Sequence, residues 1–248
     1  MLLFARIFDR KTGLVTYRKN GNEILVDHHG GDENGTRHCI VGTMYSDYLS
    51  DFRLPNDVRV LDLGANGGGF PLMLKLAGIN LTRVVSVEFN PLTFCRLQLN
   101  LATNLGSCAI AINAAATGRS ENSEIHIVPS RGSTSQSIYA SRAEPNRASV
   151  AVKTTTLQQL YDQYFTDHRI DICKIDIESA EYEFLEAAGD DLLRKIRYLI
   201  IELHDPARNP ALLERLSSLG FTEIVAKNPD PGDGDVHAFR GPADPIAA

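Results

Sequence analysis

The sequence predicts an α/β protein built on a doubly wound, mostly parallel sheet. From about residue 57 onward, short apolar runs alternate with longer helical stretches. The runs are continuously apolar, which is typical of parallel strands covered on both faces. Strand and helix alternation of this kind produces right-handed crossovers and a doubly wound sheet.

Five apolar runs are predicted as the parallel strands. They are Val58–Leu63, Val84–Phe89, Ala109–Ala114, Ile170–Ile177 and Tyr198–Leu203. The predicted helices are Phe70–Ala77, Pro91–Leu105, Leu157–Phe165, Glu181–Ala188 and Pro210–Leu219. Two C-terminal strands, Thr222–Ala226 and Val236–Arg240, complete a seven-stranded sheet. Asn90 and Pro91 supply a cap and a first-turn proline for the second helix.

The predicted organisation has two parts. Residues 1–56 form a small N-terminal extension or cap that contains a hairpin of Leu14–Tyr17 and Glu23–Asp27. Residues 57–248 form the main domain. One further strand is predicted at Glu124–Val128, outside the regular alternation.

The overall charge and the apolar runs argue against several classes of protein. The formal net charge is −6, which argues against general nucleic-acid binding because that needs a basic face. Arg6 and Asp9 interrupt the N-terminus too early for a secretory signal. No run approaches the roughly 20 apolar residues that span a bilayer. We therefore expect a cytoplasmic protein with no membrane partner.

The most informative segment runs from Val60 to Phe70, where an apolar strand ends in an acid and several glycines lead into a helix. Ligands of open α/β sheets bind beyond the carboxyl ends of the strands. Gly64 and Gly68 would let the backbone approach such a ligand without a Cβ in the way. A dinucleotide site is the rival interpretation, but its fingerprint requires a glycine where this chain has Asn66.

Asp62 also counts against a dinucleotide. It lies at the strand end and would repel a diphosphate, which needs a helix N-terminus free of anions. S-adenosylmethionine has no phosphate and carries an ammonium and a sulfonium, both of which suit a carboxylate. The loop therefore favours S-adenosylmethionine as the bound cofactor.

Two further strand ends extend this cofactor prediction. Glu88 closes the second strand, where a carboxylate can accept hydrogen bonds from two ribose hydroxyls. Asn113 ends the third strand and is predicted to contact the adenine edge. The predicted cofactor-binding residues are Asp62, Gly64, Ala65, Asn66, Gly68, Glu88, Asn113 and Ala114.

With these motifs the sequence resembles the FkbM family of methyltransferases. The matching pieces are Asp62–Gly68, Val87-Glu88, Asn113–Ala115, Thr155–Leu157, Lys174–Glu181 and Ile201–His204, together with the polar loop Gly132–Ser135. The resemblance implies a Rossmann-like class I methyltransferase fold and O-methylation, often of a sugar or polyketide hydroxyl in glycan or natural-product pathways. Ser179 departs from the family pattern, which usually has glycine there, and we expect a local adjustment at that point.

Candidate catalytic residues lie at the ends of the fourth and fifth strands. Asp176 and Glu178 follow the fourth, and Glu202 and His204 close the fifth. Methyl transfer to oxygen requires an aligned acceptor and removal of its proton. We predict that His204, whose ordinary pKa lies nearest neutrality, accepts this proton or orients the hydroxyl, helped by Asp176 and Glu178.

A magnesium ion is the open alternative at this edge. The same carboxylates and imidazole offer ligands for it, although their spacing is not a specific metal signature. The next helix is predicted to present Glu181, Glu183 and Glu186 to solvent and to bury Phe184 and Leu185.

Two other functions stay open. An RNA or protein methyltransferase would use the same fold, but base-amino enzymes generally carry an Asn/Asp-Pro-Pro-aromatic motif where this chain has Asp176-Ile-Glu-Ser. A non-catalytic donor-binding module is the other alternative. We expect a small-molecule or glycan acceptor whose identity the sequence leaves open, as it does the oligomeric state, with a homodimer as one alternative.

Overall fold

Seven strands form the central sheet of the computed structural model, which describes residues 13–42, 45–119, 124–127, 138, 150–166, 168–225 and 235–242. Across the sheet the strands are β11 (Thr222–Ile224), β12 (Val236–Arg240), β10 (Ile196–Glu202), β9 (Ile170–Ile175), β3 (Val58–Leu63), β4 (Leu81–Glu88) and β5 (Ala109–Asn113). The strands from β10 to β5 are parallel to one another, and β12 is antiparallel to both of its neighbours. This confirms the predicted α/β fold with a mostly parallel sheet. The polar loop at 132–135 lies outside the described residues.

The helices follow the predicted alternation, with several short ones added. They are α1 (His38–Val41), α2 (Ser46–Leu49), α3 (Gly69–Leu76), α4 (Pro91–Leu105), α5 (Leu157–Tyr164), α6 (Glu181–Glu186), α7 (Asp190–Leu193) and α8 (Asn209–Ser218), with a π-helical turn at Glu33–Arg37. The Asn90 side chain accepts the Leu92 N–H and Pro91 begins α4, as the sequence predicts. Within the described part of the chain, every helix is too short or too polar to cross a membrane.

The core lies on both faces of the central strands. All six residues of β9 are buried, and Val60, Leu61 and Leu63 of β3 have no exposed surface. One apolar cluster includes Leu61 and Leu63, and another includes Val60. Because both faces are covered, side chains of these strands reach solvent at the strand ends, and ligands of such sheets bind at the carboxyl ends.

Smaller sheets lie outside the central one. The N-terminal hairpin pairs β1 (Leu14–Lys19) with β2 (Asn22–Asp27), confirming the predicted hairpin. Strand β8 (Val150–Thr155) pairs with β6 (Ala115–Ala116) and with β7 (Glu124–Ile127). The hairpin lies against α4 through side-chain amides one helical turn apart.

Asn100 and Asn104 of α4 hold the outer edge of β2. Asn100 accepts the Leu25 N–H at 2.7 Å and donates to the Leu25 carbonyl at 2.9 Å. Asn104 makes the same pair of bonds with Glu23, at 3.0 and 2.7 Å. Asn100 also donates to the Gly67 carbonyl at 2.8 Å. One helix face therefore connects the hairpin to the glycine-rich loop.

Arg96, a further turn back on α4, holds the segment after the hairpin. Its guanidinium donates two hydrogen bonds to the carboxylate of Asp32, at 2.6 and 2.7 Å. Asp32 is fully buried and also accepts the Asp27 N–H. The division of the chain after residue 56 stays a prediction, but in the described residues this segment is hydrogen-bonded to α4, a helix of the predicted main domain.

Candidate functional site

The glycine-rich loop follows β3 and turns sharply at Gly64. The N–H groups of Gly64 and Ala65 both donate to the Val87 carbonyl at 3.0 Å. Gly64 has φ +69°, and a Cβ there would lie 1.6 Å from the carbonyl oxygen of Asp176. Gly68, with φ +88°, caps the start of α3. Only glycine fits at position 64, because the ends of β3 and β9 approach each other so closely.

Asn66 is held in a left-handed conformation by its neighbours. Its φ is +48°, and its side-chain oxygen accepts a hydrogen bond from the Thr36 hydroxyl at 2.8 Å. The Gly67 N–H points at the same two oxygens, each 2.8 Å away. Sequence reasoning missed Thr36, since it lies in a polar segment with no motif. The N-terminal segment therefore supports the loop directly.

Glu88 lies at the end of β4 with its carboxylate held by backbone. One oxygen accepts the Asn66 N–H at 3.0 Å and the other accepts the Asn90 N–H at 2.8 Å. Only 4% of the residue is exposed. Burial raises the pKa of Glu88 to about 7, although the two N–H donors oppose the change.

Asn113 lies next to Glu88 across the sheet but faces a different cavity. Its amide nitrogen donates to the carbonyls of Glu88 and Phe89 at 2.9 and 3.0 Å. It lines a separate pocket with Gln159 and Lys153. Its predicted contact with adenine stays a prediction, while the observed bonds tie the ends of β4 and β5 together.

Asp62 is fully buried at the end of β3. One of its oxygens lies 3.7 Å from Nζ of Lys174, and the other accepts the Ser86 hydroxyl at 3.4 Å. Burial raises the pKa of Asp62 to about 6, and Lys174 limits the rise. Lys174 is a lysine within an apolar strand, and this signal was not used in predicting the site.

His204 is oriented by a buried glutamate. Glu181 is fully buried, and its Oε1 lies 3.0 Å from His204 Nδ1 and accepts the His204 backbone N–H at 3.1 Å. The prediction that Glu181 faces solvent is wrong, because α6 begins at the sheet edge and its first turn points inward. Glu186 is exposed, whereas Phe184 and Leu185 are buried as predicted.

The other imidazole nitrogen of His204 faces three carboxylates. Its Nε2 lies 3.6 Å from Glu178, 3.8 Å from Glu202 and 3.9 Å from Asp176. Burial lowers the pKa of His204, but the bond to Glu181 and the other carboxylates outweigh it and raise the value to about 9. Burial and Asp176 raise the pKa of Glu202 to about 7. The predicted catalytic residues therefore lie together as one charged cluster.

The backbone between this cluster and α6 is unusual. Glu178 and Ser179 have φ values of +52° and +78°, in the left-handed region that favours glycine. Ser179 occupies the position where the family pattern usually has glycine, and it keeps the left-handed geometry. The loop therefore turns Glu178 towards His204 despite the unfavourable residue type.

Two pockets meet at the carboxyl edge of the sheet. The first contains Glu88 and is otherwise mostly apolar, with Phe89, Ala114–Ala116 and Ile138 in its wall. The second, a polar cavity of about 430 Å³, is lined among others by His38, Tyr45, Lys174 and Glu202. Both are lined by Gly64, Asn66, Asp176 and Glu178. Asp62 is not among the described residues that line either pocket.

The family follows from the sequence of this same region. The model of the methyltransferase FkbM domain matches residues 62–223, about two thirds of the chain. The chain belongs to the FkbM methyltransferase family. The matched region is a methyltransferase domain, and it begins at Asp62 and includes every predicted site residue.

Solved structures are similar at low sequence identity. The methyltransferase FkbM of Methylobacillus flagellatus KT is 16% identical, with a TM-score of 0.52, over 76% of this chain and 44% of that one. This FkbM-family chain thus spans less than half the length of that protein, and the likeness shows the shared fold. An rRNA methylase from Streptococcus thermophilus is 13% identical, with a TM-score of 0.46, over 79% of this chain and 92% of that one. TrmK of M. capricolum, in complex with S-adenosyl-homocysteine, is 12% identical, with a TM-score of 0.45, over 80% and 68%. No curated protein matches the chain.

Proposed function

We propose that this chain transfers the methyl group of S-adenosylmethionine to a hydroxyl of a sugar, glycan or natural-product acceptor. The observation that carries the proposal is the polar cavity beside the Glu88 pocket. It brings carboxylates from β9 and β10 next to the glycine-rich loop. A hydroxylated ligand suits such a wall, because each carboxylate can accept a hydrogen bond from a hydroxyl group.

The first pocket fits the adenosine part of the donor. Glu88 offers acceptor oxygens for the ribose hydroxyls, since each of its oxygens keeps a lone pair beyond its bond to a backbone N–H. Phe89, Ala114 and Ile138 offer the apolar wall that a purine needs. From there the donor extends along Gly64 and Asn66, which line both pockets.

The second pocket fits the acceptor. Its volume of about 430 Å³ lies within the range of small-molecule sites. Asp176 and Glu178 line both pockets, so an acceptor hydroxyl beside them would face the reacting end of the donor. In-line displacement requires this kind of alignment between nucleophile and methyl group.

Proton removal follows from the charges of the cluster. Bound S-adenosylmethionine supplies a methyl group that is carried on a sulfonium. When the acceptor oxygen bonds to the methyl carbon, the carbon–sulfur bond breaks and the sulfur leaves as a neutral thioether. The acceptor's proton passes to a carboxylate, and Glu202, with a pKa raised to about 7, is matched to neutral conditions. His204, with a pKa raised to about 9, is a cation at neutral pH and orients the hydroxyl rather than accepting its proton.

A metal is the alternative means of activating the hydroxyl. Ligand atoms of Asp176, Glu202 and His204 lie within 4.8 Å of one another. The magnesium alternative stays a prediction, which chelation tests. Activity that vanished with EDTA and returned with Mg²⁺ would assign activation to the ion.

The test of the proposal is transfer of a deuterated methyl group. The protein is incubated with labelled donor and separate pools of oligosaccharides, glycosylated natural products, RNA and protein, and each pool is analysed by mass spectrometry. We expect the label on a hydroxyl oxygen of a sugar-containing acceptor. Label on RNA or on protein would overturn the proposed acceptor, and donor binding without transfer to any pool would favour a non-catalytic module. Glu202→Gln should reduce transfer, whereas Glu223→Gln, at an exposed Glu–His pair on β11, should leave it unchanged.

A further inference from the structure

Lys174 is a buried lysine that joins the ends of two strands. Only 5% of its side chain is exposed. Its Nζ donates to the carbonyl of Gly64 at 2.8 Å and lies 3.3 Å from the carbonyl of Leu63. The same nitrogen is 3.2 Å from Oδ2 of Asp176 and 3.7 Å from Oδ1 of Asp62. One ammonium thus contacts the last residues of β3, the first loop residue and the residue after β9.

The surroundings keep this lysine charged. Burial lowers the pKa of Lys174, but the carboxylates of Asp176 and Asp62 outweigh burial and hold it above its usual range. The ring of Tyr45 lies 5.8 Å from Nζ, and its hydroxyl is 3.5 Å from Asp176. A buried ammonium is tolerated when its hydrogen bonds are satisfied, and here carbonyls and carboxylates satisfy them.

The contacts of Lys174 lie where the two pockets meet. Gly64 and Asp176 line both pockets, and their backbones approach so closely that position 64 has no room for a Cβ. Lys174 lines the polar cavity, and Asp62 lies behind it, fully buried. The ammonium therefore separates Asp62 from the space that a ligand would enter.

We propose that Lys174 is a positioning residue that holds the Gly64 carbonyl and the Asp176 carboxylate in the wall shared by both pockets. Asp62 acts through Lys174, as its buried partner, and not by contact with the donor. The inference rests on the proposed placement of the donor, with adenosine in the Glu88 pocket and the amino-acid end beside Gly64. It does not depend on which acceptor is methylated.

This placement separates two parts of the donor. Glu88 lines the first pocket and Lys174 lines the second. Loss of Lys174 should weaken binding of the amino-acid end and spare binding of the nucleoside. S-adenosylhomocysteine carries both parts, whereas 5′-methylthioadenosine carries the nucleoside without the amino acid.

The experiment is calorimetric titration of both ligands, without acceptor, into wild type and Lys174→Met. We expect the variant to bind S-adenosylhomocysteine at least tenfold more weakly and 5′-methylthioadenosine within twofold of wild type. Lys75→Met is the matched control, because Lys75, near the end of α3, also donates to a backbone carbonyl, that of Asn104 in α4. It should change neither affinity. Equal weakening of both ligands, or no weakening, overturns the inference.

A double variant separates positioning from simple charge balance. Lys174→Met removes the ammonium beside the buried Asp62, so Asp62→Asn combined with Lys174→Met should recover thermal stability. If Lys174 positions Gly64 and Asp176, the double variant still binds S-adenosylhomocysteine at least tenfold more weakly than wild type. Recovery of wild-type affinity would show that Lys174 only neutralises Asp62 and would overturn the inference. Failure of the proposed acceptor class appears only in the methyl-transfer assay, which is independent of these titrations.

Discussion

Glu88 and His204 lie at the same edge of the sheet and are held in opposite ways. Both oxygens of Glu88 accept backbone N–H groups at 3.0 Å or less, from Asn66 and Asn90. His204 Nε2 faces three carboxylates at 3.6–3.9 Å, beyond hydrogen-bond distance. The Glu88 half is thus fixed by the fold, whereas the His204 half is assembled from charged side chains.

This difference distinguishes binding of the cofactor, which the family shares, from choice of the acceptor, which one member makes. Backbone N–H groups stay in place when side chains change. A binding site for the methyl donor that is built on such groups therefore suits a cofactor common to many enzymes. Side-chain clusters can be altered one residue at a time, which suits the part that chooses the acceptor. We therefore expect mutations to separate donor binding from turnover, and the following predictions test that separation.

The largest effect is expected from His204→Ala. The variant should lose turnover by about 10²–10⁴-fold, because the hydroxyl that His204 orients would no longer face the carboxylate that accepts its proton, while donor affinity stays unchanged. Steady-state kinetics with calorimetry checks both quantities. His237→Ala is the control, because His237 contacts Glu223 and Asp235 away from the site. Loss of donor affinity together with turnover would show that the two halves are not separate.

Glu88→Ala should have the complementary effect on donor binding. We expect it to weaken by about 1.5–3 kcal/mol, the contribution of hydrogen bonds to a charged group. The affinity for 5′-methylthioadenosine should fall by the same factor as that for S-adenosylhomocysteine, unlike in Lys174→Met. Unchanged affinity for the nucleoside would remove Glu88 from the ribose contact.

The pH dependence of nucleoside binding should follow Glu88. Because burial raises its pKa to about 7, lowering the pH from 8 to 6 protonates most of the carboxylate and turns one of its two acceptor oxygens into a hydroxyl donor. Affinity for 5′-methylthioadenosine should fall roughly tenfold over this range, as expected for one titrating group. Glu88→Gln should show a flat profile in the same calorimetric series. A flat profile in wild type would contradict the proposed contact.

The smallest effect is expected on stability at Ser179. Its φ of +78° is costly for serine and free for glycine, so Ser179→Gly should stabilise the fold by about 1 kcal/mol. Thermal unfolding measures this as a higher midpoint. Ser50→Gly is the control, because Ser50 has φ −64° and gains nothing from glycine. A lower midpoint for Ser179→Gly would mean that the serine side chain contributes more than the strain costs.

The sheet could be predicted because its parallel strands are built around apolar runs. Strands β3 and β12 and helix α4 have the predicted bounds, and the other main elements differ by at most three residues at an end. The short helices α1, α2 and α7 were not predicted, since four-residue helices carry too little periodicity. Their positions depend on packing against α3 and the sheet.

The site could be predicted only at strand ends. Asp62, Glu88, Asp176 and His204 follow apolar runs, and parallel strands bring such ends to one edge. What could not be predicted is which side chain faces which: Asp62 lies behind Lys174, and Glu181 turns inward to His204. Those orientations depend on contacts between residues far apart in the chain, such as Lys174 with Gly64.

The row of polar side chains on α4 makes the hairpin part of the cofactor loop's support. Asn100 bonds both Leu25 of the hairpin and the carbonyl of Gly67 in the loop. A shortened chain that began at Asp57 would leave these amides, and the buried face of Arg96, open to water. Conversely, a ligand that stiffens the loop should slow amide hydrogen exchange in β2, whose residues line neither pocket. The amide exchange rate of the hairpin would then indicate whether the methyl donor is bound.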